Sequence, residues 1–320
     1  MSTSNDPRAR LQRCFVAPQS ALGVVADAGD FVRRAFYDYT PQVQSAPQDD
    51  EIIGADYQNG IDDTPGAPDT ERGSVAIAWP LDLIQIGYAL TEALGAPTTS
   101  GSTTKTHTFS SGASAVLPSR TIERMLASGQ YDGVIGAVLR TLRFPIGSDR
   151  GYTQVQANYF TRQHVKQYAS PIAVSPTVPS LANRVPRAVG TIKKNGVALG
   201  SILSGDFTLT NMLGEDAYHG SALVEDVQVE GRKAAINLTA RFKGAAMRDL
   251  GELPNGALVQ DANEIELAWE LSATMKLVIT IAGVRFAKTG VAARGVGRLD
   301  VCVPFLPTKH GTNTYTDELF

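Results

Sequence analysis

Cysteine is nearly absent from this chain, with only Cys14 and Cys302. Two thiols are too few for a disulfide framework or a zinc site, and the chain reads as made in a reducing cytoplasm. Excess charge is lacking too. Lys and Arg number 29 against 32 Asp and Glu, a net charge of −3, which argues against a protein that grips nucleic-acid phosphates. No apolar run approaches the ~20 residues of a membrane span, so no membrane anchor is expected. The stretch from Met1 to Pro7 lacks the basic-then-apolar pattern of a secretory signal. The sequon at Asn237, Leu238 and Thr239 is therefore read as a chance match.

Catalytic constellations are missing as well. His107, His164, His219 and His310 lie far apart, none in a metal-ligand spacing. Residues 200–205 (GSILSG) have the wrong spacing for a nucleophile elbow. Gly295 and Gly297 lack the third glycine of a dinucleotide site, and there is no Walker loop. The acidic pairs at 49–51 and 62–63 fit no EF-hand spacing and read as a solvated loop. Neither cysteine has a histidine near it in sequence, which leaves no candidate nucleophile. Arg8, Arg10, Arg13, Arg33 and Arg34 make the N-terminus mildly basic, but no aromatic stacking platform is interleaved. No catalytic, cofactor or metal residues are assigned, and no enzyme is expected.

What the sequence does have is period-two alternation of apolar residues, the mark of half-buried strands. Ala234, Ile236, Leu238, Ala240 and Phe242 share one face, with Asn237, Thr239 and Arg241 on the other. Ile265, Leu267, Trp269 and Leu271 repeat the pattern, then Met275, Leu277, Ile279 and Ile281, and last Leu299, Val301, Val303 and Phe305. One packed and one polar face is the habit of antiparallel sheets. Turn chemistry agrees. Asn195-Gly196 is a strong hairpin signal, Gly147 to Gly151 separates two strands, and Gly231-Arg232 is expected to turn a third hairpin. One helix is expected over 82–94, with Leu83, Ile86, Leu90 and Leu94 at helical spacing and Gly95 as cap, and a shorter one over 245–250.

Two stretches look irregular. Residues 40–71 hold eight acids and four prolines, and residues 170–186 hold four prolines among small polar residues. An internal similarity links Thr121, Ile122, Met125 and Leu126 to Thr208, Leu209, Met212 and Leu213 at an offset of 87, with Tyr131 and Gly133 matching Tyr218 and Gly220. The expected fold is mainly β, an antiparallel β-sandwich or barrel with a flanking helix, duplicated in tandem. Its first domain covers 1–170 with helix 82–94 and long loop 40–72. A Pro-rich linker covers 171–188, and a second β-domain with a C-terminal extension covers 189–320.

The order of these pieces resembles a known family. Thr106-His-Thr-Phe109 followed by Leu117-Pro-Ser-Arg-Thr-Ile-Glu123 is similar to the "THTF … LPSxTIE" stretch of tail tube proteins from long-tailed, non-contractile bacteriophages (siphophages). The hairpin from Val189 to Gly200 resembles that family's "GTVxxxGxxLG", followed by the strand from Phe207 to Met212. The run ending Val301-Cys-Val-Pro-Phe305 resembles its last strand, and Gly73 to Trp79 before the helix resembles its strand-then-helix unit. The resemblance covers about residues 70–306.

The resemblance implies a structural subunit of the tail tube, assembled in the host cytoplasm into rings that stack to form a hollow conduit for DNA. The DNA would pass through without specific binding. It implies partners: other copies of itself in hexameric rings (or, if the similarity at offset 87 is a duplication, in trimeric pseudo-six-fold rings), a tape measure protein in the lumen, and distal tail and tail terminator proteins at the ends. It also implies ring stacking through a long loop, which places Asp49, Asp50, Glu51, Asp56, Asp62 and Asp63 in an inter-ring contact. Competing readings are another virion β-sandwich, such as a tail-tip, baseplate or receptor-binding module, and a β-sandwich hydrolase.

Overall fold

The period-two alternation of the sequence becomes strand pairing throughout, and every ladder between named strands is antiparallel. The computed structural model describes residues 11–44, 70–102, 104–112, 116–147, 151–168, 170–200, 202–241, 263–286, 300–307 and 314–319. Strands β1 (Arg13–Pro18), β2 (Val32–Arg34), β3 (Asp38–Gln44) and β4 (Arg72–Pro80) precede the one described helix, α1 (Ile86–Leu94). Then come β5 (Thr98–Ser100), β6 (Lys105–Ser110), β7 (Arg120–Ala127), β8 (Gln130–Gly147) and β9 (Gln154–Tyr168). The second half supplies β10 (Thr191–Lys194), β11 (Val197–Ala198), β12 (Ile202–Asp216) and β13 (Asp226–Arg241). It ends with β14 (Asn263–Ser272), β15 (Met275–Phe286), β16 (Asp300–Pro307) and β17 (Thr314–Leu319). The fold is mainly β, as expected.

Two ladders meet on the long strand β8. One runs β2-β1-β7-β8-β9-β4-β3. The other runs from β8 through β12, β13 and β16 to β15. From β15 it branches to β14, β10 and β11 on one side and to β17, β6 and β5 on the other. Because β9 holds one edge of β8, β7 and β12 must lie end to end along the other. β7 takes the first part of β8, up to Ala137, and β12 takes Thr141 to Gly147. The two halves of the chain thus share one sheet and one core. Phe144 packs against Phe207 at 5.9 Å and against Trp269 at 5.7 Å between ring centroids. Each such buried side chain contributes about 1.5–3 kcal/mol.

Several sequence expectations hold. Asn195 (φ 49) and Gly196 (φ 79) turn the β10–β11 hairpin, both in the left-handed region that a type I′ turn requires. Ala234, Ile236, Leu238 and Ala240 are all buried, as are Leu277, Ile279 and Ile281. Leu271 is the exception on its strand at 38 % exposure, because β14 is leaving its ladder there and the register shifts beside it. The helix starts later than expected, at Ile86. The Asp82 carboxylate accepts the N–H groups of Ile84 (3.0 Å) and Gln85 (3.3 Å) while its backbone carbonyl accepts Ile86 N–H at 2.9 Å, so one residue organises the turn that leads into the helix. Gly95, at φ 93, donates its N–H to Thr91 and ends the helix as the sequence suggested.

Others are corrected. Gly231-Arg232 does not turn a hairpin, since β13 runs straight through it. The ladder shifts between Met212↔Gly231 and Leu213↔Val229, so the glycine marks a β-bulge, and the turn lies at 217–225. The long loop does not begin at residue 40, because Thr40 to Gln44 belong to β3. Pro41 can sit in that strand because, among the described residues, β3 pairs only with β4 and is an edge.

Residues 170–186 are irregular but firmly docked. Val174 donates to Ala28, Arg33 to Thr177, Thr177 to Phe31 and Val185 to Leu81 through the backbone. The carboxylate of Glu123 receives the N–H groups of Ile172 (2.8 Å) and Ala173 (2.9 Å). That of Asp82 receives Asn183 at 3.1 Å. The internal similarity falls on β7 and β12, but the hairpins that follow differ: Met125 opposes Tyr131, whereas Met212 opposes Gly231 and Tyr218 lies in the turn. The helix expected at 245–250 lies outside the described residues.

Candidate functional site

The clearest candidate surface is the open face of the sheet formed by β3, β4, β9, β8, β12 and β13. Its register can be read straight across the strands. Tyr39, Ile77, Ala157, Leu142, Leu209 and Ala234 are successive neighbours, and all six are buried in the core. One position along, the row Thr40, Ala76, Asn158, Thr141, Thr210 and Lys233 points the other way. So does the row Asp38, Ala78, Gln156, Arg143, Thr208 and Ala235. Six strands from both halves therefore present one polar, small-residue face, with a shallow concavity of about 260 Å³ between β3 and β12.

The two faces come from simple alternation plus one irregularity. Between Leu139↔Tyr159 and Thr141↔Asn158 the ladder shifts, leaving Arg140 as an extra residue. Its guanidinium pairs with Glu215 of β12. Beyond the bulge Thr141 and Arg143 face out while Leu142 and Phe144 face in. The centre of the open face is held by a cross-strand set. Arg143 donates to Gln156 Oε1 (3.1 Å) and lies 3.4 Å from Asp206 Oδ1, and Thr208 donates to Asp206 Oδ2 at 3.1 Å. The cation at the middle of the face is thus matched by a carboxylate across the β8–β12 seam. At one end the face is closed by Leu117, Val224 and Val227, which cover Val138 and Phe160.

On the core side sits a buried ionic cluster that sequence reading missed. Glu92 of α1 is fully buried. Its Oε1 accepts Arg34 Nη2 at 2.5 Å and lies 3.3 Å from Arg120 Nε, and its Oε2 accepts the Tyr159 hydroxyl at 2.7 Å. Arg34 also stacks over Trp79 (5.5 Å) and Tyr88 (5.1 Å). Burial alone would raise the Glu92 pKa, but the two guanidiniums outweigh it and hold the carboxyl below its ordinary range. Burial and the adjacent carboxylate push Tyr159 well above its usual value. The signal was there to read, as Glu92 is the only charged residue in an otherwise uncharged nine-residue helix.

Chemistry finds little footing elsewhere. Among the described residues no three metal-ligating side chains converge. Burial lowers the pKa of His164, and His107 shares a 2.7 Å contact with Thr99. Burial also pushes the Cys14 thiol up to about 12, the wrong direction for a nucleophile. The side chains predicted for an inter-ring contact, Asp49, Asp50, Glu51, Asp56, Asp62 and Asp63, lie outside the described residues. They fall between the paired ends of β3 and β4, Gln44 and Arg72.

A sheet sealed on one side and polar on the other, continuous through both halves of the chain, defines a mainly β protein with one broad polar face. The family profile described as phage tail tube protein matches residues 10–300, most of the 320-residue chain. The chain belongs to that family, a family of structural virion proteins and not of enzymes. It is a structural subunit of a phage tail tube, located in the virion tail and self-assembling into a tube. No curated protein matches it in sequence.

Proposed function

We propose that copies of this chain close into rings, that the rings stack, and that the open polar face lines the lumen through which the phage genome passes. The observation that carries this reading is the continuity of that face across six strands from both halves. A conduit for a polyanion needs a wall with few unmatched cations, because neutralising phosphates releases counterions and makes the polymer stick; here, among the described residues, the exposed Lys233 at the β13 edge is one. The Arg143–Asp206 pairing supplies that match at the centre of the face. The tube is non-contractile and is assembled in the host cytoplasm. A tape measure protein occupies its lumen, and distal tail and terminator proteins close its ends. The acidic segment with Asp49, Asp50, Glu51, Asp56, Asp62 and Asp63 contacts the next ring. If the chain divides at 1–170, 171–188 and 189–320 so that each β-domain counts as one tube unit, three chains make a pseudo-six-fold ring; if the whole chain is one unit, six chains make a hexameric ring.

Electron microscopy of the purified protein over a concentration series tests this. Hollow tubes of uniform width are expected, and their averaged symmetry chooses between three and six chains per ring. A Thr208→Cys variant in a Cys302→Ser background locates the lumen. Its thiol should react with a bulky maleimide in free subunits and be protected in tubes. Labelling that is equal in both states would reject the wall assignment.

A further inference from the structure

A second surface lies at the opposite pole of β3 from the acidic segment. A groove of about 460 Å³ opens where β1 begins, β2 ends and β3 begins, lined by Arg13, Arg33, Phe36, Tyr37 and Asp38 among others. Four arginines cluster near it, but two are committed: Arg34 to the buried Glu92 and Arg124 to Asp132 at 2.5 Å. Arg13 and Arg33 have no ion-pair partner among the described residues. Arg13 is exposed and Arg33 half-buried. The pairing Phe15↔Arg33 puts Arg33 and Arg13, two residues before Phe15, on the same face of the β1–β2 ladder. The one carboxylate in the groove, Asp38, accepts the hydroxyl of Thr40 at 3.3 Å. The groove is therefore basic, with Phe36 and Tyr37 in its lining, and Arg13 and Arg33 share one face of its ladder.

Residues 45–69 carry seven acids and no Lys or Arg. They leave the sheet at Gln44 and return by Arg72, a paired end of the β3–β4 ladder. The groove sits at the Asp38 end of the same strand. Seven residues of strand separate the two ends by about 20 Å. One pole of the subunit thus emits a polyacidic segment and the other holds unmatched arginines, the polarity that head-to-tail stacking requires.

We infer that the groove at Arg13 and Arg33 is the receiving site for the acidic segment 45–69 of a second copy of this chain in the adjacent ring. The inference rests on the stacked-ring reading and adds the receptor that reading leaves unassigned. Complementary charge would set the rate and register of stacking, and would make axial growth salt-sensitive.

The test uses the full chain. Arg13→Glu/Arg33→Glu should keep the circular dichroism of the wild type, form rings, and fail to grow long tubes. Adding Asp49→Lys/Asp50→Lys to that variant should restore growth. Tubes of wild-type length from the Arg13→Glu/Arg33→Glu variant would overturn the inference and leave the tube reading standing. Absence of rings and tubes from the wild-type chain would instead count against the tube reading. A labelled peptide of residues 45–69 gives a readout that needs no tubes. The wild-type chain should bind it at low salt, and the double arginine variant should bind about tenfold more weakly. Equal binding by both would overturn the inference. So would no binding by either chain combined with a loss of thermal stability in the variant, since the segment would then dock within its own subunit.

Discussion

The same pairing of arginine with carboxylate occurs on both faces of one sheet, with opposite consequences. On the core face, Arg34, Arg120 and Tyr159 converge on a fully buried Glu92, and each group there depends on the others being present. On the open face, Arg143 and Asp206 meet at 3.4 Å with solvent beside them, and their attraction is screened. Burial, not chemical identity, decides the role. The inner cluster holds the helix to strands β2, β7 and β9, whereas the outer pair adjusts the charge of a surface.

The two faces differ most at Glu92. Glu92→Ala strands two buried guanidiniums and should cost about 3–5 kcal/mol in urea unfolding. A cost under about 1 kcal/mol would mean that water reaches the cluster. Acid should act through the same residue. Glu92 has a folded pKa below its ordinary 4.5, so its contribution is complete above that value and is lost as pH falls through the depressed one. Stability measured from pH 7 to pH 3 should therefore fall more steeply in the wild type than in Glu92→Gln. Tyr159→Phe removes one hydrogen bond to a charged group and should cost about 1.5–3 kcal/mol. Asp206→Asn on the outer face should cost less than about 1 kcal/mol. Its effect should appear instead in assembled tubes, as retention of a labelled DNA duplex that is released by salt.

Much of this layout is written locally. Asn195-Gly196 specifies its own turn, and the alternation from Ala234 to Ala240 specifies which side of β13 is buried, because both depend on neighbours one or two residues away. What fails is whatever depends on the partner strand. Gly231 reads as a turn until Met212 and Leu213 are seen to shift past it, and Thr40 to Gln44 read as loop until β4 pairs with them. The polar face is spelled out strand by strand, but its continuity comes from the β8–β12 seam, which joins residues 57 to 69 positions apart and leaves no periodic trace. Glu92 escaped notice because its partners, Arg34, Arg120 and Tyr159, come from three distant strands.

The seam has a mechanical consequence. β8 and β12 run antiparallel through seven consecutive residue pairs, from Ser204↔Gly147 to Thr210↔Thr141. Tension directed along these strands and tending to slide the halves of the chain past each other strains those pairs together, in shear. Tension across the strands would peel them apart one after another. A subunit pulled along the strand direction would therefore resist through all seven pairs at once.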